Sequence, residues 1–475
     1  MLGFGHLALR QSFNTKLTLT VLLITFSQFN FGFDQQGFSA TQAMNAFQKQ
    51  FGVYNAKSKT YRLNPAWVSY FNGFIYLGQA FGVVVGSYIS KRFGRRMCMF
   101  IMSIWALVCA TLVITSKTAN QILVARVLNY IYIGMELAVV PIFQSEITPK
   151  QARGFIVGTY QISLFFGGLV MNIIARGTQS ITTKNAYIIP YGLFYVVPSI
   201  VALSIWFVPE SPRWLILKNR HEDAMQELRK LRQGKYTDSE IEEEFRDIVQ
   251  RIEIERQQGS FFDIFRKANL RRTIIVVGAN FFLQATGQNF TSNYGALFAK
   301  SLGTINPFSV TVMLGAMASC LTMGGLGTAA NPSDNIKAGI IAMMVVFTFG
   351  YSIGWAPTAH ILSAEIPSTS MRDMTYRTAS VLNIAVQFAV SFSLPYLLDA
   401  PYADLGSKVG FIFGSIAAVS VVFAFFCVPN VARRSLEDID RLFASGIPIG
   451  KFGSAKLDDS SEDIEIGTDR KDVVD

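Results

Sequence analysis

Val208-Pro-Glu-Ser-Pro-Arg-Trp-Leu215 divides this chain in two. Long apolar runs precede it. A stretch dense in both signs of charge follows it as far as Arg271-Arg272, and then the apolar runs resume. Two hydrophobic halves joined by a solvated middle is the plan of a transporter whose halves rock against each other.

Composition supports that reading. Of the 475 residues, 51% are hydrophobic and only 16% charged, and the mean hydropathy is +0.33. A spanning helix needs roughly 20 predominantly apolar residues, and many windows qualify. The formal net charge of +10 fits basic cytoplasmic loops. Because Lys and Arg are interleaved with Glu and Asp between apolar runs, the charge does not point to nucleic acid. Cys98, Cys109, Cys320 and Cys427 lie in or beside apolar runs without metal-ligand spacing and read as packing residues. Neither metal nor cofactor is expected. No nucleophile–base constellation or phosphate loop is apparent, which argues against an enzyme, and no cleavable signal peptide is evident.

In the first half the apolar runs place spans at 16–33, 67–89, 97–115, 122–143, 155–174 and 187–208. Asp34 closes the first. There it either marks the water boundary or faces a wet cavity, because a carboxylate in a span is costly otherwise. Gly73, Gly78, Gly82 and Gly86 in the second span are spaced to let helix backbones approach. Lys91-Arg92-Phe93-Gly94-Arg95-Arg96 is a basic turn that belongs on the cytoplasmic side. Arg126 lies inside the fourth span, where a central charge costs roughly 2.5–3.5 kcal/mol on insertion scales. Gln161 in the fifth span can glue helices or bind a hydroxylated ligand. Pro190 and Pro198 predict bends in the sixth.

The charged middle reads as two amphipathic helices broken at Gln233-Gly234: Ala224, Met225, Leu228 and Leu231 recur at helical spacing, as do Ile241, Phe245, Ile248 and Ile252. In the second half, Glu365-Ile-Pro with Arg372 repeats Glu146-Ile-Thr-Pro with Arg153 at the same separation. This is the signature of a parallel repeat.

Pro-Glu-Ser-Pro-Arg after a sixth span is similar to a hallmark of the sugar porters of the major facilitator superfamily. The run from Arg126 through Glu136 and Pro141 to Glu146, Arg153 and Gly154 resembles a fungal sugar permease throughout. Phe281-Phe-Leu-Gln284-Ala-Thr-Gly287-Gln-Asn289 with Tyr294 resembles the porters' Gln-Gln-x-Ser-Gly-x-Asn motif, with Leu283 where the first Gln stands. Lys91 likewise stands where the family's Asp-Arg-x-Gly-Arg-Arg turn has its Asp, and His360 where many porters have Trp. A lone His can titrate near neutral pH, but at a span's end it is more often only hydrogen-bonded.

The resemblance implies an all-α membrane protein of the major facilitator fold: an N-terminal six-helix bundle at 1–208, a cytoplasmic helical linker at 209–272, a C-terminal bundle at 273–428 and a cytoplasmic tail at 429–475. It implies substrate contacts from Gln161, Gln284, Asn289, Tyr294 and Asn383, and proton coupling through Asp34 and Arg126. It also implies an inner charge latch among Arg92, Arg95, Glu146, Arg153, Glu210, Arg213, Glu365 and Arg372. The expected partners are a small neutral sugar (a hexose or small oligosaccharide), protons and the lipid bilayer, with no nucleic acid; the expected place is the plasma membrane. A nutrient sensor on the same fold, a carrier of another polyol-like metabolite and a truncated inactive transporter are the alternatives. The tail from Gly450 is polar and acidic and is expected to be disordered.

One piece is missing from this pattern. Between Arg272 and Glu365 only three spans can be placed, at 273–298, 308–327 and 338–357, against four between Lys16 and Glu146. Eleven of the usual twelve spans are identifiable, and the absent one corresponds to the eighth. Eleven crossings would put Glu365, Arg372 and Arg377 outside, against the basic-inside rule. A gene model or transcript lacking about thirty-five residues, roughly one span and a turn, or one segment that fails to cross, would account for this.

Overall fold

The computed structural model describes residues 13–55, 60–149, 152–256, 261–287, 318–328, 333–350, 371–399 and 401–429, with short pieces between 359 and 466. Helix α1 (Thr15–Gln42) starts at Asn14, whose side chain accepts from the Leu17 amide. Beyond it come α2 (Asn45–Phe51) and a hairpin of β1 (Val53–Asn55) with β2 (Thr60–Arg62). Next are α3 (Pro65–Gly73), α4 (Ile75–Phe93), α5 (Arg95–Thr115), α6 (Ala119–Ile147) and α7 (Arg153–Thr178). Asn64 caps α3 with Pro65 in its first turn, and Thr118 with Gln121 forms a capping box on α6.

The sixth span is α8 (Asn185–Gly192) and α9 (Val196–Ser204), joined by a 3₁₀ turn at Leu193–Tyr195. Pro198 has no N–H to give the Phe194 carbonyl four residues back, so the ladder loosens where the sequence predicts a bend. The solvated middle supplies α10 (Pro212–Leu217), α11 (His221–Arg232) and α12 (Asp238–Arg256). The second half contains α13 (Lys267–Ala285), α14 (Ala318–Leu326), α15 (Asp334–Gly350), α16 (Arg372–Leu398) and α17 (Val409–Cys427).

Among the described residues, six helical stretches are long and apolar enough to cross a membrane: Pro65–Phe93, Arg95–Thr115, Ala119–Ile147, Asn185–Phe207, Met374–Leu398 and Gly406–Ala424. Their close packing rests on glycine. A Cβ at Gly78 or Gly82 would collide with the Val127 or Ile131 carbonyl of α6, and one at Gly134 with the Gln79 carbonyl of α4. Gly32 and Gly167 play the same part between α1 and α7, against Leu164 and Phe29.

Three differences from the sequence reading stand out. The first helix does not stop at residue 33; it runs on to Gln42, because Gly32 and Gly37 keep it packed against α7 and α8 instead of releasing it. The segment left between the first two spans holds α2, whose Phe47 and Phe51 are buried against Tyr187. In the tail, β3 (Ala455–Leu457) pairs antiparallel with β4 (Ile464–Ile466), its register setting Lys456 opposite Glu465.

The halves meet at the end of the membrane remote from the basic turn. Ser69 of α3 donates to the Phe392 carbonyl of α16 at 2.8 Å, and Ser391 donates to the Tyr76 hydroxyl at 3.3 Å. Tyr70 and Phe74 stack with Phe388 and Phe392 in the same place. These rings join the two halves there.

Candidate functional site

At the inner end, Gly94 turns the chain between α4 and α5 with φ +102° and ψ 169°, a conformation open to glycine alone. A Cβ there would strike the Glu210 carboxylate. Arg95 then forms a two-pronged pair with Glu146, 2.8 Å at each contact, and gives a further bond to the Ser90 carbonyl. Ser211 donates to the same carboxylate at 2.6 Å. Glu210 accepts from the backbone amides of Arg95, Arg96 and Ser211 at 3.1, 3.2 and 2.8 Å. Burial pushes the Glu210 carboxyl up from its ordinary range, against the downward pull of those amides and of Arg95. Trp214 donates to the Lys91 carbonyl at 3.1 Å. The dividing stretch is therefore clamped onto the basic turn.

Arg92, expected in this latch, is exposed and lies over the Phe93 ring, 5.7 Å from its centroid. Arg213 is half-buried in α10. Arg153 opens α7 and Arg372 opens α16. Glu365 lies outside the described residues, as do Asn289, Tyr294 and His360.

Sequence reasoning missed Arg232. It is 1% exposed, grips Glu244 twice at 2.9 Å and donates to the Ile147 carbonyl at the end of α6. One Arg in a basic last turn of an amphipathic helix carries no signal that it will be the buried one. The charged helices are tied to the membrane bundle here and at Asn14, which donates to the carbonyls of Lys230 and Gln233.

Deeper, Asp34 is not at a water boundary. Its side chain and that of Arg126 are each 4% exposed, with Oδ2 and NH1 3.8 Å apart. The Arg126 guanidinium lies 3.7 Å from the centroid of the Phe38 ring, and Asn129 hydrogen-bonds the carboxylate. Asp34 Oδ2 and the Nε and NH1 of Arg126 are buried without hydrogen-bond partners. The ions attract but are not locked together.

In the second half the amides singled out from sequence do meet. Gln284 of α13 donates to Asn383 Oδ1 of α16 at 3.2 Å, and Asn383 donates to the Asn280 carbonyl at 3.2 Å. Asn280, one turn before Gln284, donates to Ser363 Oγ at 2.8 Å; neither Asn280 nor Ser363 was singled out from sequence, though an amide one helical turn before Gln284 was a signal available. The side-chain oxygen of Gln284, Oε1, is buried with no partner. Leu283 turns the other way, into a core with Ile275, Val276 and Ala279. Gln161 lies in α7, the helix packed along α1. In chemical terms, the second half offers uncharged donors and an unsatisfied acceptor, and the first half a separated ion pair.

The model for sugar (and other) transporters matches residues 20–331 and again 312–443. The chain belongs to the sugar transporter family. This sugar porter is 27% identical to the high glucose sensor RGT2 of Saccharomyces cerevisiae, over 90% of this chain and 61% of the sensor, so it spans less than two thirds of that relative. It is 25% identical to the general alpha-glucoside permease of the same yeast, over 93% of this chain and 78% of the permease. The inward-open xylose transporter XylE of E. coli superposes with a TM-score of 0.71 at 19% identity, covering 90% of this chain and 99% of that one. The fold is thus the all-α major facilitator fold, and the porter is a multi-pass membrane protein.

The alignments also carry a deficit. The match to the sensor runs over 469 positions, although 90% of this chain is only about 428 residues, so roughly forty positions face no residue here. A similar surplus recurs with the permease, 483 positions against 93% of the chain. Residues 312–331 are matched twice by the family model.

Proposed function

We propose that this porter carries a small neutral sugar, a hexose or small oligosaccharide, across the plasma membrane by alternating access coupled to protons. The observation that carries the reading is the cluster of Gln284, Asn383 and Asn280 with its one buried, unpartnered acceptor. A buried acceptor left unmade costs roughly 1–3 kcal/mol, and a sugar hydroxyl is a donor of the right kind and charge. Gln161 from the first half, and Asn289 and Tyr294, complete the contacts in this reading. Asp34 and Arg126 supply the proton step: protonating the carboxylate releases the guanidinium and shifts the balance between states. The latch of Arg95, Glu146, Arg153, Glu210 and Arg213, with Glu365 and Arg372 from the second half, holds the inner side. No enzymatic chemistry enters. Labelled glucose and maltose uptake into yeast lacking its own hexose carriers tests the proposal; uptake no greater than in empty-vector cells would reject transport.

A second reading has its own support. We read the forty-position deficit as an absent eighth span, falling between Phe308 and Thr311, which leaves the bundle at 273–428 one helix short. A porter so shortened moves sugar poorly, and a glucose sensor is among its relatives. Sugar binding without uptake would favour this receptor-like reading.

A further inference from the structure

Glu136 is a second buried acid in the first half, and neither the latch nor the Asp34–Arg126 pair uses it. It sits at mid-length on α6 and is 0% exposed. Ser27 of α1 donates to its Oε1 at 3.2 Å. Tyr132, one turn earlier on α6, directs its hydroxyl at the carboxyl and accepts from Asn30 Nδ2 of α1 at 3.3 Å. Glu136 Oε2 and Asn30 Oδ1 are both buried with no partner.

No Lys, Arg or His among the described residues pairs with Glu136. Of the titratable groups on the helices around it, Tyr132 is the one that engages the carboxyl. Asp34 of α1, Arg126 and Tyr130 of α6 and Tyr76 of α4 lie toward the outer end of the α1–α6 seam. Arg95, Glu146 and Glu210 close its inner end, and the Cys98 thiol of α5 is turned to the Gly86 carbonyl. Between Glu136 and the inner end, Gln144 donates to Thr25 at 3.2 Å and Gln28 donates to Gln144 at 3.1 Å.

An ionised carboxylate in that setting would be a buried charge with no counter-ion, which costs several kcal/mol or more. A proton removes the charge and gives Oε2 a hydroxyl. The polar groups also follow one another along the seam, from Asp34 past Asn30 and Tyr132 to Ser27 and Glu136, then to Gln144. We propose that Glu136 binds a proton in this form and is a second proton site of the transport cycle, inward of Asp34, releasing it to water when the two halves part on the inner side. This rests on the transport reading given above for its role, but not for the bound proton itself.

Two measurements on the full chain in liposomes test it. Infrared spectra near neutral pH are expected to show a protonated-carboxyl stretch that E136Q removes, that D34N leaves in place and that Y132F shifts in frequency without loss. An E136Q spectrum identical to that of the unaltered chain overturns the proposal, as does loss of the band when sodium replaces choline, which would mark a cation site. The second measurement is D-glucose-driven proton movement, read with a trapped pH dye. Its loss in E136Q, with glucose binding by the E136Q chain retained, supports the coupling role; wild-type proton movement in E136Q overturns it. If the unaltered chain moves neither glucose nor protons, the transport reading fails, and the infrared result still decides whether Glu136 holds a proton.

Discussion

Asp34 and Arg126 face each other at 3.8 Å, with side chains 4% exposed, yet no hydrogen bond joins Oδ2 to NH1. A structural ion pair at this depth would normally close to a two-pronged contact, as Arg95 and Glu146 do. Arg126 instead spends its charge on the Phe38 face, and the carboxylate takes a bond from Asn129. The pair is thus poised to separate.

Asp34→Asn is therefore expected to abolish sugar-driven alkalinisation of the medium while leaving the protein folded, since Asn keeps the shape and the bond to Asn129. Unchanged alkalinisation in this variant would remove Asp34 from the coupling.

Glu146→Ala should destabilise the inner end strongly. It strands the buried Arg95 guanidinium and takes the acceptor from Ser211, and removing one member of such a pair typically costs about 3–5 kcal/mol. The exposed pair of Arg220 with Asp223 serves as the control, because surface pairs contribute little. Thermal unfolding in detergent should show a large drop for Glu146→Ala and none for Arg220→Ala; equal shifts would contradict the latch.

Gly94→Ala tests the turn itself. An alanine at φ +102° and ψ 169° carries a backbone penalty of order 1–3 kcal/mol, and its methyl would push on Glu210. The melting temperature should fall, with loss of the Trp214 anchor visible as altered tryptophan fluorescence. A melting curve superposable on the parent's would refute this account of the turn.

The proposed absence of an eighth span has a topological consequence. The basic residues Arg372 and Arg377 after it should keep their segment inside, so one segment between 273 and 350 fails to cross and the chain's end stays cytoplasmic. An epitope after Asp475 should be reachable only in permeabilised cells, with weak sugar uptake. Labelling of intact cells, or robust uptake by the 475-residue form, would contradict this.

Much of this was legible in the sequence. Apolar runs between capped or glycine-marked ends place most helices of the first half, and Gln284 and Asn383, neutral amides on two different spans, do touch. The extent of α1 was not legible, since Gly32, Asp34 and Gly37 look like an exit and only packing against α7 and α8 shows otherwise. Nor was the burial of Arg232 and Glu136, because a charged residue in an amphipathic or apolar run looks the same whether it snorkels or is enclosed. Nor was it legible that Arg95 pairs with Glu146 while Arg92 lies exposed over Phe93, because a run of basic residues does not announce which of them is enclosed.

The central claim is that an uncharged sugar binds at the amide cluster of α13 and α16. Equilibrium binding of labelled D-glucose to the full chain tests it without requiring transport. Each lost hydrogen bond is worth about 0.5–1.5 kcal/mol, so Gln284→Ala should weaken binding several-fold with membrane delivery unchanged. Glucose affinity in Gln284→Ala equal to that of the unaltered chain would contradict the account.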